Sequence, residues 1–388
     1  MAQNRRRVAI LMHRWVGYLH GVQLGLAEYV QQKPDWICTH LVPDDVGLTT
    51  IASMPLDGIL AYVEKDYIRK LRARKVPVVD VANWLTDSGF PRVLPDDAAI
   101  GRLAGEYLSD LGLRHYAFRG YDNADFSAQR CNAFVQTLAA QGFETHVYPS
   151  TGIEADASIE APVGINRNLL AWLIWLPKPA ALYCVNDVAA AEALDLCRYA
   201  QIHVPESLCI LGTDNDELLT RITHPPLSSI ALHTQKIGFE AARILDAMMG
   251  GDPAPAQPVL FPPVGVIARQ STNLLAIEDE SVAAAVRFIR DNVHRQVSVE
   301  DVLQAVPVNR RSLERRFREN LGRTPLEEIR RARIEKAKQL LSGSDLLMPA
   351  VAKRSGFANP ERFANVFRDA TGMTPTKYRR EFRLHDFG

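Results

Sequence analysis

The sequence predicts a chain in two parts: an α/β unit of two lobes built on doubly wound parallel sheets, then an all-α domain with two helix-turn-helix units. Three observations predict it. Over about 240 residues, short β-rich apolar runs alternate with amphipathic helical runs, the pattern of parallel strands covered by helices. The chain has 45 Lys+Arg and 45 Asp+Glu, yet residues 281–388 hold 22 basic against 13 acidic side chains, which leaves 23 against 32 for the rest. Finally, VNRRSLERRFRENLGRTP (308–325) lies over ANPERFANVFRDATGMTP (358–375) at a constant offset of fifty. The predicted units are residues 1–272, a linker at 273–281, and residues 282–388 with helix-turn-helix segments at 299–319 and 348–370.

In the first unit the strand candidates are RVAILMH (7–13), DGILAYV (57–63), VPVVDVA (76–82), RHYAFRG (114–120), AALYCVN (180–186) and SLCILGTD (207–214). Helix candidates between them include 17–32, 98–112, 127–142 and 188–201. Trp172 and Trp175 fit one buried helix in LLAWLIWL. Ligands of such folds sit beyond the carboxyl ends of the strands. The polar residues there are His13, Glu64, Asn83, Arg119, Asn186, Asp187, Asp214 and Asn215, with Trp15, Tyr18 and Trp84 in strand-following loops. Carboxylates and amides provide acceptors and donors for hydroxyls, and a flat ring suits the C–H face of a sugar. The same aromatics could equally be lobe-core residues.

Catalytic and metal chemistry find no support in the spacing. There is no GxGxxG, Walker loop or GxSxG, and His and carboxylates do not fall at metal-ligand intervals, so no cofactor is expected. The five cysteines are scattered without a CxxC and lack basic or His neighbours that would activate a thiolate. No run of about eighteen apolar residues could span a membrane. A reduced, cytoplasmic setting is expected.

In the second unit each copy of the repeat reads as helix, break, helix. SVEDVLQAV (298–306) and MPAVAKRSG (348–356) are the leading helices, and Asn309 and Asn359 can cap the following ones. Leu313/Phe317 and Phe363/Phe367 are four apart and share a face. The opposite face carries Arg310, Arg311, Glu314, Arg315 and Arg318 in one copy, and Glu361, Arg362, Asn365 and Arg368 in the other. A single copy could be a hairpin with a solvated charged face. Two basic copies point to a DNA major groove. PLEEIRRARIEKAKQLL (325–341) reads as a helix joining them.

Here the residues reach a family. Gly356-Phe357, Phe363, Phe367-Arg368, Gly372, Thr374-Pro375 and Tyr378-Arg379 closely resemble the signature of the arabinose-regulator (AraC/XylS) type of DNA-binding domain. The resemblance implies base contacts from Arg311, Glu314 and Arg315 in the first copy and from Glu361, Arg362 and Asn365 in the second. One departure is Pro307, where a small residue or glycine is usual at the turn. Residues 6–272 resemble the periplasmic-binding-protein-like sensor of lac-repressor-type regulators. Gly212-x-Asp214, Pro226-Leu227-Ser228-Ser229, Gly238…Ala241-Ala242 and VIARQST (266–272) carry that likeness. It implies that Asp214 binds the effector, that Asn186-Asp187 matches the pair after the preceding strand, and that Arg130 grips sugar hydroxyls. That family's own DNA-binding unit is expected ahead of residue 7, whereas here the readers lie at the other end. Sensor followed by reader is similar to the order in a group of pentose-operon regulators. This implies a sugar-responsive transcriptional activator, with a pentose (D-xylose) as effector, double-stranded promoter DNA and RNA polymerase as partners, and a homodimer formed through the sensor. An enzyme acting on a small sugar, with a DNA-binding tail, is the alternative from another class.

Overall fold

The computed structural model describes residues 5–13, 17–148, 166–273 and 279–382. The first lobe is built from β1 (Arg6–Leu11), α1 (Gly17–Gln31), β2 (Trp36–Leu41), α2 (Asp45–Ser53), β3 (Gly58–Ala61), α3 (Ile68–Ala73), β4 (Val78–Asp80) and β5 (Val93–Pro95). Its sheet runs β2-β1-β3-β4, all parallel, and an Asp80–Arg92 bridge carries it on toward β5. The inner strands β3 and β4 and most of β1 are buried on both faces, as near-continuous Val/Ile/Leu/Ala runs require, whereas edge strand β2 is half-exposed.

The chain then crosses to a second lobe: α4 (Asp97–Ser109), β6 (His115–Arg119), α5 (Asp125–Ala139), β7 (Thr145–Val147), α6 (Arg167–Trp175), β8 (Ala180–Cys184), α7 (Asp187–Tyr199), β9 (Leu208–Asp214), α8 (Glu217–Ile222) and β10 (Ser228–Ala231). It returns through α9 (Thr234–Met249) and β11 (Val259–Phe261), which pairs with β5, and crosses a third time to β12 (Gly265–Ile267). The six-stranded sheet runs β12-β10-β9-β8-β6-β7, parallel except for β12. Phe118, Phe134 and Tyr183 form its aromatic centre, with ring centroids 5.2–6.2 Å apart. Helices α1 and α9 meet backbone to backbone: a Cβ on Gly25 would collide with the Gln235 carbonyl, and one on Gly238 with that of Val22.

One expectation fails. Trp172 is buried, but Trp175 is 65% exposed and lies edge-on to His146 at 5.4 Å. A helix apolar all round gives no face to choose from, and α6 covers its sheet with Leu169, Leu170, Trp172 and Leu173 alone.

The C-terminal domain comprises α10 (Glu280–Asp291), α11 (Val299–Ala305), α12 (Arg310–Leu321), α13 (Pro325–Gly343), α14 (Met348–Arg354), α15 (Pro360–Thr371) and α16 (Pro375–Phe382). Two separate cores hold it. One gathers α10–α12 and Ile329 around Leu313 and Phe317, while the other gathers Ile334, Ala337 and Leu341 of α13 with Phe363, Phe367 and Tyr378. Local signals fix the helix starts: capping boxes at Ser298/Asp301 and Thr324/Glu327, and side-chain caps from Asn309 and Asn359.

Candidate functional site

The carboxyl ends of β3, β4, β6, β8 and β9 face the junction between the lobes, and the N-termini of α4, α5, α7 and α8 converge there. Asp214 ends β9 at φ +106, followed by Asn215 at φ +53. Two successive non-glycine residues on the positive side of φ are costly, so the surroundings must hold this corner. They do so through Asp187, which is 1% exposed. Its Oδ1 accepts from Ser229 Oγ at 2.6 Å and its Oδ2 from Asp216 N at 2.7 Å. Ser229 Oγ in turn accepts from Asn215 N at 3.0 Å, and Arg269 Nη2 donates to Asn215 Oδ1 at 2.8 Å.

With the corner braced from behind, the Asp214 carboxylate takes no hydrogen bond among the described residues. Burial pushes it up to about 7; Arg130 opposes the rise, and Asp216 and Asp97 add to it. Burial, with the neighbouring Asp214 charge, also lifts Asp187 well above the ordinary carboxylate range.

Arg130, on α5, faces this corner. Its Nε donates to Asp97 Oδ1 at 2.7 Å and its Nη1 to the Val185 carbonyl at 2.6 Å, leaving Nη2 uncommitted among the described residues. Asp97 also accepts from Asn83 Nδ2 at 2.8 Å, which joins the loop after β4 to the start of α4. Burial raises Asp97 despite Arg130 beside it. Breaking such a pair by removing one partner strands a buried charge. Asp80 fixes the same loop by accepting from Ala82 N at 2.9 Å and Val63 N at 3.2 Å.

Rings wall the cleft. Trp84 donates its indole N–H to the Tyr62 hydroxyl and stands edge-on to Phe126 at 5.4 Å. The Arg130 guanidinium lies 5.3 Å over the Phe126 ring. Tyr18 packs against the cores of both lobes and gives its hydroxyl to the Val81 carbonyl at 2.9 Å. Burial carries that phenol far above its usual value, with Asp97 adding to the rise.

Asp214, Asn215, Asp187, Asn186, Arg130, Tyr18, Asn83 and Trp84 therefore all come to one junction; Trp15 lies outside the described residues. They divide by what their polar atoms already do. Asp187 is spent on bracing, and the Asn186 side-chain Oδ1 caps α7 by accepting from Ala189 N (2.9 Å) and also accepts from the Tyr121 hydroxyl. Arg119 is turned away to the Ala189 carbonyl and Glu192. Sequence reasoning missed Asp97, Tyr62, Phe126, Ser229 and Arg269. Asp97 lies just ahead of the helix expected over 98–112 and Ser229 enters only as part of the sensor signature, and only the fold shows that they meet the cleft.

At the other end of the chain α12 and α15 present matching faces. Arg310, Arg311, Arg315, Arg318, Asn359, Glu361, Arg362, Asn365 and Arg368 are exposed, and Glu314 is half-buried. Arg310 pairs with Glu300 (2.8 Å) and Glu314 (3.2 Å), and Arg315 with Glu319 (3.0 Å). Exposed pairs of this kind contribute about 0–1 kcal/mol, so these arginines exchange partners cheaply. The 19-residue α13 between the readers is about 28 Å long.

Residues 106–272 match the family model of a periplasmic binding protein-like domain, and residues 302–381 that of a helix-turn-helix domain. The xylose operon regulatory protein of Escherichia coli is 30% identical over 390 residues, 98% of each chain. That of Haemophilus influenzae is 28% identical over 394 residues, 99% of this chain and 100% of its own. The solved structure of a xylose-binding transcription activator, 29% identical, aligns with a TM-score of 0.61 over 99% of this chain and 100% of that one. A periplasmic binding protein/LacI transcriptional regulator complexed with D-xylulofuranose shares the fold of the sensor, with a TM-score of 0.57 at 17% identity. With a braced inter-lobe cleft at one end, twin exposed reading helices at the other and likeness along nearly its whole length, the chain belongs to the xylose operon regulatory protein family, whose members are DNA-binding regulators of transcription rather than enzymes.

Proposed function

We propose that this chain activates pentose-catabolic genes when D-xylose binds between its lobes. The observation that carries the reading is the Asp214 carboxylate, without a hydrogen bond among the described residues, at a corner braced from behind by Asp187, whose two oxygens each accept one. A carboxylate accepts from two neighbouring hydroxyls at once, and the remaining Arg130 N–H groups donate to a third oxygen. Asn83, Asn186 and Asn215 border the pocket with their amides, and Trp84 and Tyr18 offer apolar ring surface to the sugar's C–H groups. The names of the relatives, which specify xylose, narrow a polyol to a pentose.

Isothermal titration with D-xylose and with hexoses tests this reading. Because burial pushes Asp214 up to about 7, the affinity should rise as pH increases from about 6 to 8, with the acceptor gained as its proton leaves. Asp214→Asn should bind weakly and lose that pH dependence. An Asp214→Asn protein that binds D-xylose like the wild type would remove the assignment.

On the DNA side, Arg311, Glu314 and Arg315, with Glu361, Arg362 and Asn365, read base edges in successive major grooves, about 34 Å apart on one face of the duplex. Arg310, Arg318, Asn359 and Arg368 flank them toward the phosphates. Arg315→Ala and Asn365→Ala should each cost about 1–3 kcal/mol of specific affinity and relax preference at one position. Unaltered footprints in both variants would contradict the assignment. The protein works as a homodimer in the cytoplasm, where promoter DNA and RNA polymerase are, and sedimentation equilibrium measures the assembly.

A further inference from the structure

One helix runs from the sugar cleft to the first reading module. The N-terminal residue of α4, Asp97, is held in the cleft by Arg130 and Asn83, and its thirteen residues span about 20 Å. Its buried face, Ile100, Ala104 and Leu108, is embedded in the core of the second lobe, so it moves with that lobe. The next residue, Asp110, closes the helix, and its Oδ2 meets Arg331 Nη2 at 3.0 Å while its Oδ1 meets Arg323 Nη1 at 3.6 Å. Both arginines belong to the reader: Arg323 follows the first recognition helix and Arg331 lies on α13. Behind them Glu328, 2% exposed, holds Arg323 Nε at 2.6 Å and faces Arg331 Nη1 at 4.0 Å.

Two features set this contact apart from an ordinary surface pair. An aspartate at a helix C-terminus opposes the helix dipole, so Asp110 disfavours its own helix and is compensated by Arg323 and Arg331 of the reader. Arg331 Nη1 is buried with no hydrogen-bond partner among the described residues, so this guanidinium is held chiefly through Nη2 on Asp110. The reader also touches the sensor at a second point. Tyr378 Oη donates to the Val264 carbonyl at 3.2 Å, and Lys236 Nζ donates to the Arg380 carbonyl at 3.3 Å. Val264 lies on the third crossover between lobes, and Lys236 in the first turn of α9, which packs on the first lobe. The two reading modules are themselves braced together: Gly356 lies against the Val293 and Arg295 carbonyls, and Arg333 donates to the Val297 carbonyl at 2.8 Å. The reader is thus a stiff strap anchored on the second lobe at one end and on the crossover at the other. Any change in the angle between lobes changes the span between those anchors.

We propose that Asp110, through Arg323 and Arg331, is the latch by which closure of the cleft repositions the first reading module. This rests on the sugar-sensing reading above. The test uses the full-length protein, D-xylose, and a duplex selected from a random pool by the wild-type chain. Fluorescence anisotropy gives DNA affinity with and without saturating D-xylose, calorimetry gives sugar affinity, and thermal melting checks folding. Asp110→Asn should keep sugar affinity within about twofold and reduce the sugar-dependent change in DNA affinity from the 5–150-fold typical of coupled sites to within about twofold of unity. Asp110→Arg, which would set a like charge against Arg323 and Arg331, should do the same. An Asp110→Asn protein that couples as strongly as a coupling wild type overturns the latch alone. A wild type whose DNA affinity ignores D-xylose overturns the sensor reading and the latch together.

Discussion

In the first reading module the chain passes from α11 to α12 through Val306-Pro307-Val308, with Val306 extended at φ −129 and buried. Fifty residues later the second passes from α14 to α15 through Gly356-Phe357-Ala358, with Gly356 at φ +78 and Phe357 buried. The recognition helices that follow keep the same register, Arg310–Leu321 and Pro360–Thr371, each with an Asn cap and each ending on a left-handed glycine. Two different turns thus deliver equivalent helices. Pro307 does not dislodge the first reader: Val306 beside it is buried in that module's core, and the Asn309 cap starts α12 in register. What differs is the embedding: Phe317 sits among aliphatic side chains, whereas Phe367 stands in a chain of rings running from Phe363 (5.5 Å) to Tyr378 (5.2 Å).

The strongest way to break this comparison is to empty each core. Phe317→Ala and Phe367→Ala should each cost about 3–5 kcal/mol, read from denaturant melts. Their reach should differ. Tyr378 leans on Phe367 and also holds the Val264 carbonyl of the sensor, so Phe367→Ala should speed hydrogen exchange at Val264, Gly265 and Val266 while Phe317→Ala leaves it unchanged. Equal exchange in both would mean that the aromatic chain does not anchor the second module to the sensor.

A smaller effect separates two kinds of glycine. At Gly356 a methyl group would both hold the backbone in an unfavourable region and press into the Val293 and Arg295 carbonyls, so Gly356→Ala should cost about 2–3 kcal/mol and loosen one module from the other. Gly322 and Gly372 share the positive φ but have open space around them, and alanine there should cost only about 1 kcal/mol. Matching losses at all three sites would show that Gly356 serves its own turn and not the joint between modules.

How much of this was legible follows from distance along the chain. The caps at Ser298, Asn309, Thr324 and Asn359 depend on residues two or three positions away, and a recognition face depends on a spacing of four; both could be read directly. The βα alternation marked out the sheets and placed Asp214 and Asn186 at strand ends. Its limit was the pairing of charges across the fold. Nothing near Asp187 in sequence says that Ser229 and Asp216 consume its oxygens, or that Arg269 holds Asn215. Asp97, just ahead of the helix expected over 98–112, carries no local sign that Arg130 and Asn83 come to it from other elements. Trp175 was misplaced because an unbroken apolar helix has no period to reveal its outer face.

The gentlest test concerns the two caps. Asn309 Oδ1 accepts from Ser312 N at 2.9 Å and Asn359 Oδ1 from Arg362 N at 2.8 Å, so alanine at either should cost about 1 kcal/mol of stability. Serine caps nearly as well, so Asn309→Ser and Asn359→Ser should restore most of it. Asn359 has been given a second role, toward DNA, which its amide Nδ2 would fill while Oδ1 remains in the cap. The serine variant separates the two roles, because it keeps the acceptor and removes the amide donor. If Asn359→Ser melts like the wild type yet binds the selected duplex several-fold more weakly, the side chain both starts the second helix and contacts DNA. If affinity recovers along with stability, Asn359 is a cap alone, and the second module depends on Glu361, Arg362, Asn365 and Arg368 for all its contacts.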